Sequence, residues 1–150
     1  MKENNLDWMT SDVNVRVQLF GKDGMLKEEQ IFHNLVTTVG KEAIANRIRS
    51  TTPASPSHIA IGAGSGGTAA STTLAGSQLE RKVFDNPISQ TGSTLTMETT
   101  FNAGEGTGAV TEAAVFNAAS MGTMYMYADF SVINKGSSDT LKITWTLGVV

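Results

Sequence analysis

The chain has 150 residues, 40% of them hydrophobic and only 17% charged, with 15 glycines and, together, 32 serines and threonines. That is enough apolar surface for one core, which separates it from disordered sequences, and its Thr- and Gly-rich balance argues against a mainly helical protein. A formal net charge of −3 supplies no basic footprint, so nucleic acid is not expected as a partner.

Residues 1–12 are mostly polar but carry Leu6, Trp8 and Met9. They read as an N-terminal arm, either frayed or docking its Trp on a neighbouring subunit, since Trp is favoured as an interface anchor. Residues 13–150 read as a single β-sandwich domain. Val13, Val15, Val17 and Leu19 alternate with Asn14, Arg16 and Gln18, the period of a strand with one buried face. Gly21-Lys22-Asp23-Gly24 supplies a turn, and residues 25–32 a returning, largely exposed strand. From Thr38 to Arg49 the spacing predicts an amphipathic helix with Val39, Ala43, Ile44 and Ile48 on its buried face. Pro53 and Pro56 lie just beyond.

His58 to Ile61 reads as a short strand, followed by Gly62-Ala63-Gly64-Ser65-Gly66-Gly67 and further small residues as a flexible loop. Leu74 to Leu79 suggests one helical turn, and strands are expected at 81–88, 95–101, 110–116, 123–133 and 141–149. The result is an antiparallel, jelly-roll-like β-sandwich of about eight strands with one short α-helix. In the 121–133 stretch Met124, Met126, Ala128, Phe130 and Val132 share one face, while Tyr125, Tyr127 and Ile133 share the other. A strand apolar on both sides is covered on both sides, either by the helix or arm or by a partner.

Site chemistry is sparse. Gly62 to Gly67 matches G-x-G-x-x-G, but the Thr68-Ala69-Ala70-Ser71 that follows opens no long helix to hold a pyrophosphate. His33 and His58 lack metal-ligand spacing and read as strand-border hydrogen-bonding residues. The acidic residues, Glu80, Asp85, Glu98, Glu105, Glu112, Asp129 and Asp139, are scattered, with no pair singled out for acid–base work. No cysteine is present, so there is neither a disulfide framework nor a thiol nucleophile. No catalytic, cofactor or metal site is expected. No apolar h-region follows the N-terminus and no run approaches the roughly 20 apolar residues of a membrane span, so neither a signal peptide nor a membrane partner is expected.

Five fragments, taken in order, resemble small tailed-bacteriophage virion proteins. They are Asn34 to Lys41, His58-Ile59-Ala60-Ile61-Gly62-Ala63-Gly64, Leu79-Glu80-Arg81-Lys82, Thr111-Glu112-Ala113-Ala114-Val115-Phe116, and Asp139 to Thr146. The layout is similar to that of phage tail-fibre attachment domains, although Ala113-Ala114-Val115 stands where Ala-Gly-Leu is commoner. The resemblance implies a non-enzymatic structural protein of the virion. Two placements follow. The first is a capsid decoration (cement) protein on the capsid surface, clamping major capsid protein subunits as a homo-oligomer, trimer or dimer. The second is a tail-fibre or baseplate attachment protein, against which the sequence sets the lack of a fibre-shaft repeat. A glycan-binding sandwich is a third reading, which would want exposed aromatics on loops. Trp8, Met9, Tyr125 and Tyr127 are the expected partner contacts.

Overall fold

The computed structural model describes residues 12–33 and 35–149. Along them run β1 (Asp12–Phe20), β2 (Leu26–His33), β3 (Leu35–Val36), α1 (Thr38–Arg49), β4 (His58–Gly62) and β5 (Gln78–Val83). Then follow β6 (Ser89–Thr91), β7 (Thr94–Phe101), β8 (Gly108–Phe116), β9 (Met124–Lys135) and β10 (Thr140–Gly148). The strands form two five-stranded antiparallel sheets, ordered β2-β1-β10-β7-β6 and β3-β9-β8-β4-β5. The mainly β architecture with one helix is as the sequence predicts, with ten strands rather than about eight and no eight-strand jelly-roll division. The short β3 and β6 carry too little alternation to be seen as strands. β5 begins earlier than expected, and the helical turn expected at 74–79 is instead loop running into that strand.

The first sheet follows its alternation closely. Val15, Val17, Leu141, Ile143, Trp145, Met97 and Phe101 are buried against the second sheet. The positions between them, such as Arg16, Thr144 and Glu98, align across β1, β10 and β7 on the outer face. Burial of each such core side chain contributes about 1.5–3 kcal/mol, so these three strands supply much of the drive for sheet stacking.

At one end of the sandwich a polar network joins the turns. Lys135 is buried and its Nζ donates to the carbonyls of Asn102 and Asp139 at 2.9 and 2.8 Å. Lys82 Nζ donates to Glu105 Oε2 at 2.7 Å and to the Thr100 carbonyl at 2.9 Å. The bond from Lys82, with another from the Asn102 amide, holds the Glu105 carboxyl below its usual range.

At the other end lies α1, with the bounds its periodicity predicts. Thr37 caps it: Oγ1 accepts from the Gly40 amide at 2.9 Å and donates to the Met124 carbonyl. The Thr37 amide bonds the Tyr125 carbonyl at 3.1 Å, so one buried threonine fixes the helix start onto β9. The buried face of the helix is narrower than its sequence suggests. Ala43 is buried and Ile44 packs at the margin of the core, but Ile48 is 79% exposed among the described residues.

β9 also departs from simple alternation. Met126 faces Val115 and Met124 faces Phe116, so Tyr125 is an extra residue with no partner on β8. This bulge puts Tyr125 and Met126 on the same side of the sheet, and a second shift, where Val110 faces Ile133 but Glu112 faces Asp129, changes the face again further along. Tyr125, Met126 and Ala128 therefore join the main core, whereas Met124 and Tyr127 lie on the outer side with Ala60, Ala114 and Phe116.

Candidate functional site

The outer face of the second sheet is where the structure is least ordinary. Register aligns Leu35, Tyr127, Ala114, Ala60 and Arg81 in one row across β3, β9, β8, β4 and β5. A parallel row holds Asp129, Glu112 and Gly62. Small residues at the centre of the face leave a shallow trough, and the segment between β4 and β5 lies over it, with Leu74 packed against the outer cluster.

Glu112 holds that segment down. Its side chain is fully buried. Oε1 accepts from the amides of Gly64 and Gly76 at 2.8 and 2.9 Å, and Oε2 from the Ala75 amide and the Tyr127 hydroxyl, both at 2.8 Å. Three backbone N–H groups and one phenol thus converge on a single carboxylate, which satisfies its oxygens without a cation. Further ties surround it: Gly66 N–H donates to Asp129 Oδ2 at 2.7 Å, Thr111 Oγ1 to the Gly64 carbonyl at 2.6 Å, and Thr38 N–H to the Ala69 carbonyl at 2.7 Å. The two limbs of the loop touch through their backbones. A Cβ at Gly64 would fall 2.1 Å from the Gly76 nitrogen, so glycine there is required by contact and not merely tolerated.

The glycine-rich segment is therefore not the free loop its composition suggests. Its amides do cradle an anion, but the anion is the protein's own Glu112. Burial, reinforced by the bond and charge of Glu112, raises the Tyr127 hydroxyl well above its ordinary value, so that the phenol stays a donor across the physiological range.

Beside this clamp, the Arg81 guanidinium lies 3.6 Å from the centroid of the Phe116 ring. Its Nη1 donates to the carbonyls of Ala118 and Met121 at 3.2 and 2.9 Å, and Nε to Gln78 Oε1 at 3.0 Å. Arg81 thereby fixes the 117–122 turn, which carries Met121 at a positive φ of 55° and 86% exposed.

The expected contact residues fall differently. Tyr125 and Tyr127 are 2% and 1% exposed within the chain, their rings occupied by the core and by the loop cover. Rings so placed have little free surface on the single chain. Trp8 and Met9 lie outside the described residues. His33 ends β2 and His58 opens β4, both at strand borders as expected; His58 Nδ1 sits 2.7 Å from Ser57 Oγ. Burial, and then the charge of Arg81, lower the His58 pKa. Glu112 is the residue that sequence reasoning passed over. No group of three or more metal-ligating side chains is present among the described residues, and none of their helices is long and apolar enough to cross a membrane.

Three of the five sequence fragments that resemble phage virion proteins meet on this face. The β4 fragment contributes Gly62 and Gly64, the β8 fragment Glu112 and Phe116, and the β5 fragment Arg81. The family model described as phage tail-collar fibre protein, N-terminal, matches residues 28–145. The chain belongs to that family. It is a structural protein family of the phage virion, and its match turns the balance from the capsid surface, the placement favoured by the sequence, toward the tail. No curated protein and no solved structure gives a match.

Proposed function

We propose that this chain is an attachment domain of the phage tail, a non-enzymatic module that joins a fibre or collar component to neighbouring virion proteins. The observation that carries the reading is the family match, which runs from β2 into β10 and so covers all of the second sheet and the first sheet apart from β1 and the strand ends. The structure suits the role in physical terms. Both ends of the sandwich and the outer face of the second sheet are tied by side-chain-to-backbone bonds, which makes a stiff body with few movable parts. Exposed apolar residues remain as contacts, notably Met121 and Val83 beside the Arg81 turn and Ile31 on the edge strand β2. Trp8 and Met9 remain candidate contacts too. The partners are other virion proteins, with a homo-oligomer, dimer or trimer, as the working assembly.

Gold labelling of a tagged copy of the chain in intact particles tests the placement. Label at the tail or collar supports the reading. Label spread over the head shell refutes it and restores decoration of the capsid. Light scattering on the purified chain reports the assembly, for which a dimer or trimer mass is expected.

A further inference from the structure

The exposed apolar surface of this chain gathers at one end. Of the eight large hydrophobic side chains exposed among the described residues, Ile48, Val83, Met121 and Val149 lie at the end that carries α1. Register places them there: Val83 faces His58 at the start of β4, His58 faces Phe116 at the end of β8, and Val149 follows Gly148, which faces Asp12. The opposite end is closed by its lysine and carboxylate network and offers only Met25 and Leu26. Apolar surface collected in this way marks a docking face.

Met121 is the most exposed of the eight, at 86%, and its φ of 55° is a conformation that strains a side chain and that glycine adopts freely. The chain nonetheless fixes it there. Arg81 Nη1 donates to the carbonyls of Ala118 and Met121, the guanidinium lies over Phe116, and Asn117 Oδ1 accepts from the Thr123 amide at 2.8 Å across the base of the turn. A strained residue that carries an apolar tip into water adds nothing to the fold, and such strain is characteristic of contact sites.

The same end holds a matching recess. A cavity of about 370 Å³ opens between α1 and the strand ends, lined by Ile44, Arg47, Gln90, Leu95, Tyr125 and Leu147 among others. Charge decides which apolar tip of the chain suits it. Met25 and Leu26 sit among Lys22, Asp23, Lys27 and Glu28, charges that would lose water on entering an apolar recess. The Met121 turn, residues 117–123, carries no charge and only small or amide side chains beside the methionine, so it can enter next to Arg47 without repulsion.

We propose that this end is where copies of the chain meet, with Met121 of one copy seated in the recess under α1 of a second. Tip and recess lie at the same end, which lets the contacts close on themselves in a dimer or trimer. The inference rests on the homo-oligomeric assembly proposed above and supplies its anchor, and it is independent of where in the virion the chain sits.

Sedimentation equilibrium on the full chain is the first test. Wild type is expected as a dimer or trimer, with self-association at least about tenfold weaker in Met121→Gly, the fold-change for losing one buried methionine. Glycine suits the positive φ, so the variant should stay folded and unfold near the wild-type urea midpoint once both are diluted to monomers. Oligomers unchanged in Met121→Gly overturn the inference and leave the assembly standing. A monomeric wild type overturns both, while the tail placement is still decided by gold labelling. The second test uses the absence of cysteine in the chain. Met121→Cys chains are mixed with Gln90→Cys chains and oxidised. A disulfide between the two kinds of chain supports the inference; bonds confined to pairs of Met121→Cys chains, or no bond at all, overturn it.

Discussion

The outer faces of the two sheets are built on opposite plans. On the first sheet, Asn14, Arg16, Gln18, Thr96, Thr100, Thr144 and Thr146 face outward, with Lys142 and Glu98 paired at 2.6 Å. On the second, the outward positions are Ala60, Ala114, Phe116 and Tyr127, all buried, with a carboxylate sunk among them. A threonine-lined face is stable in water as it stands. An alanine-centred face is not, and the chain closes it with a segment that has no regular structure of its own. A loop with no helix or strand is thus as much part of the fold as the sheets, because its amides have a buried acceptor.

The contrast predicts a graded set of substitutions. Glu112→Ala strands three amide donors and a phenol, and should cost about 3–5 kcal/mol in urea unfolding while opening residues 63–77 to protease. Gly64→Ala forces the two limbs of the loop apart and should cost about 2 kcal/mol, with the same protease sensitivity. Tyr127→Phe removes one donor from the carboxylate and leaves the ring in place, for about 1–2 kcal/mol. Thr144→Ala, on the open face, should shift stability by less than about 0.5 kcal/mol. If Thr144→Ala proved as costly as Gly64→Ala, the distinction between the faces would fail.

A pH series sharpens the same contrast. Tyr127 holds its proton more tightly in the folded chain than in the unfolded one. Its contribution is therefore complete below the ordinary tyrosine value of about 10 and is lost as pH rises beyond it. The stability difference between wild type and Tyr127→Phe should shrink above pH 10, as followed by urea midpoints.

Much of the first sheet could be read from the sequence, because β1, β7 and β10 alternate strictly and each has one wet face. The bounds of α1 were legible for a similar reason, through its periodicity. β9 was not: the extra residue at Tyr125 shifts the pairing and sends Tyr125 to the side of Met126, away from Tyr127, with which simple alternation groups it. Glu112 escaped notice because its partners are backbone amides, which any residue can supply and which leave no mark on composition. The available signal was indirect, in that the Gly62-Ala63-Gly64 and Thr111-Glu112 fragments both belong to the phage-like layout. The lack of a fibre-shaft repeat carries little weight against the tail, because a module that attaches and a shaft have different physical requirements, and the family match points toward the tail.

Amide hydrogen exchange at Gly64, Ala75 and Gly76 tests the clamp most directly. Protection comparable to that of the β4 and β8 amides, collapsing in Glu112→Ala while those strands stay protected, is the predicted result. Exchange at unfolded-chain rates in the wild type would show that the glycine-rich segment is not a cover at all.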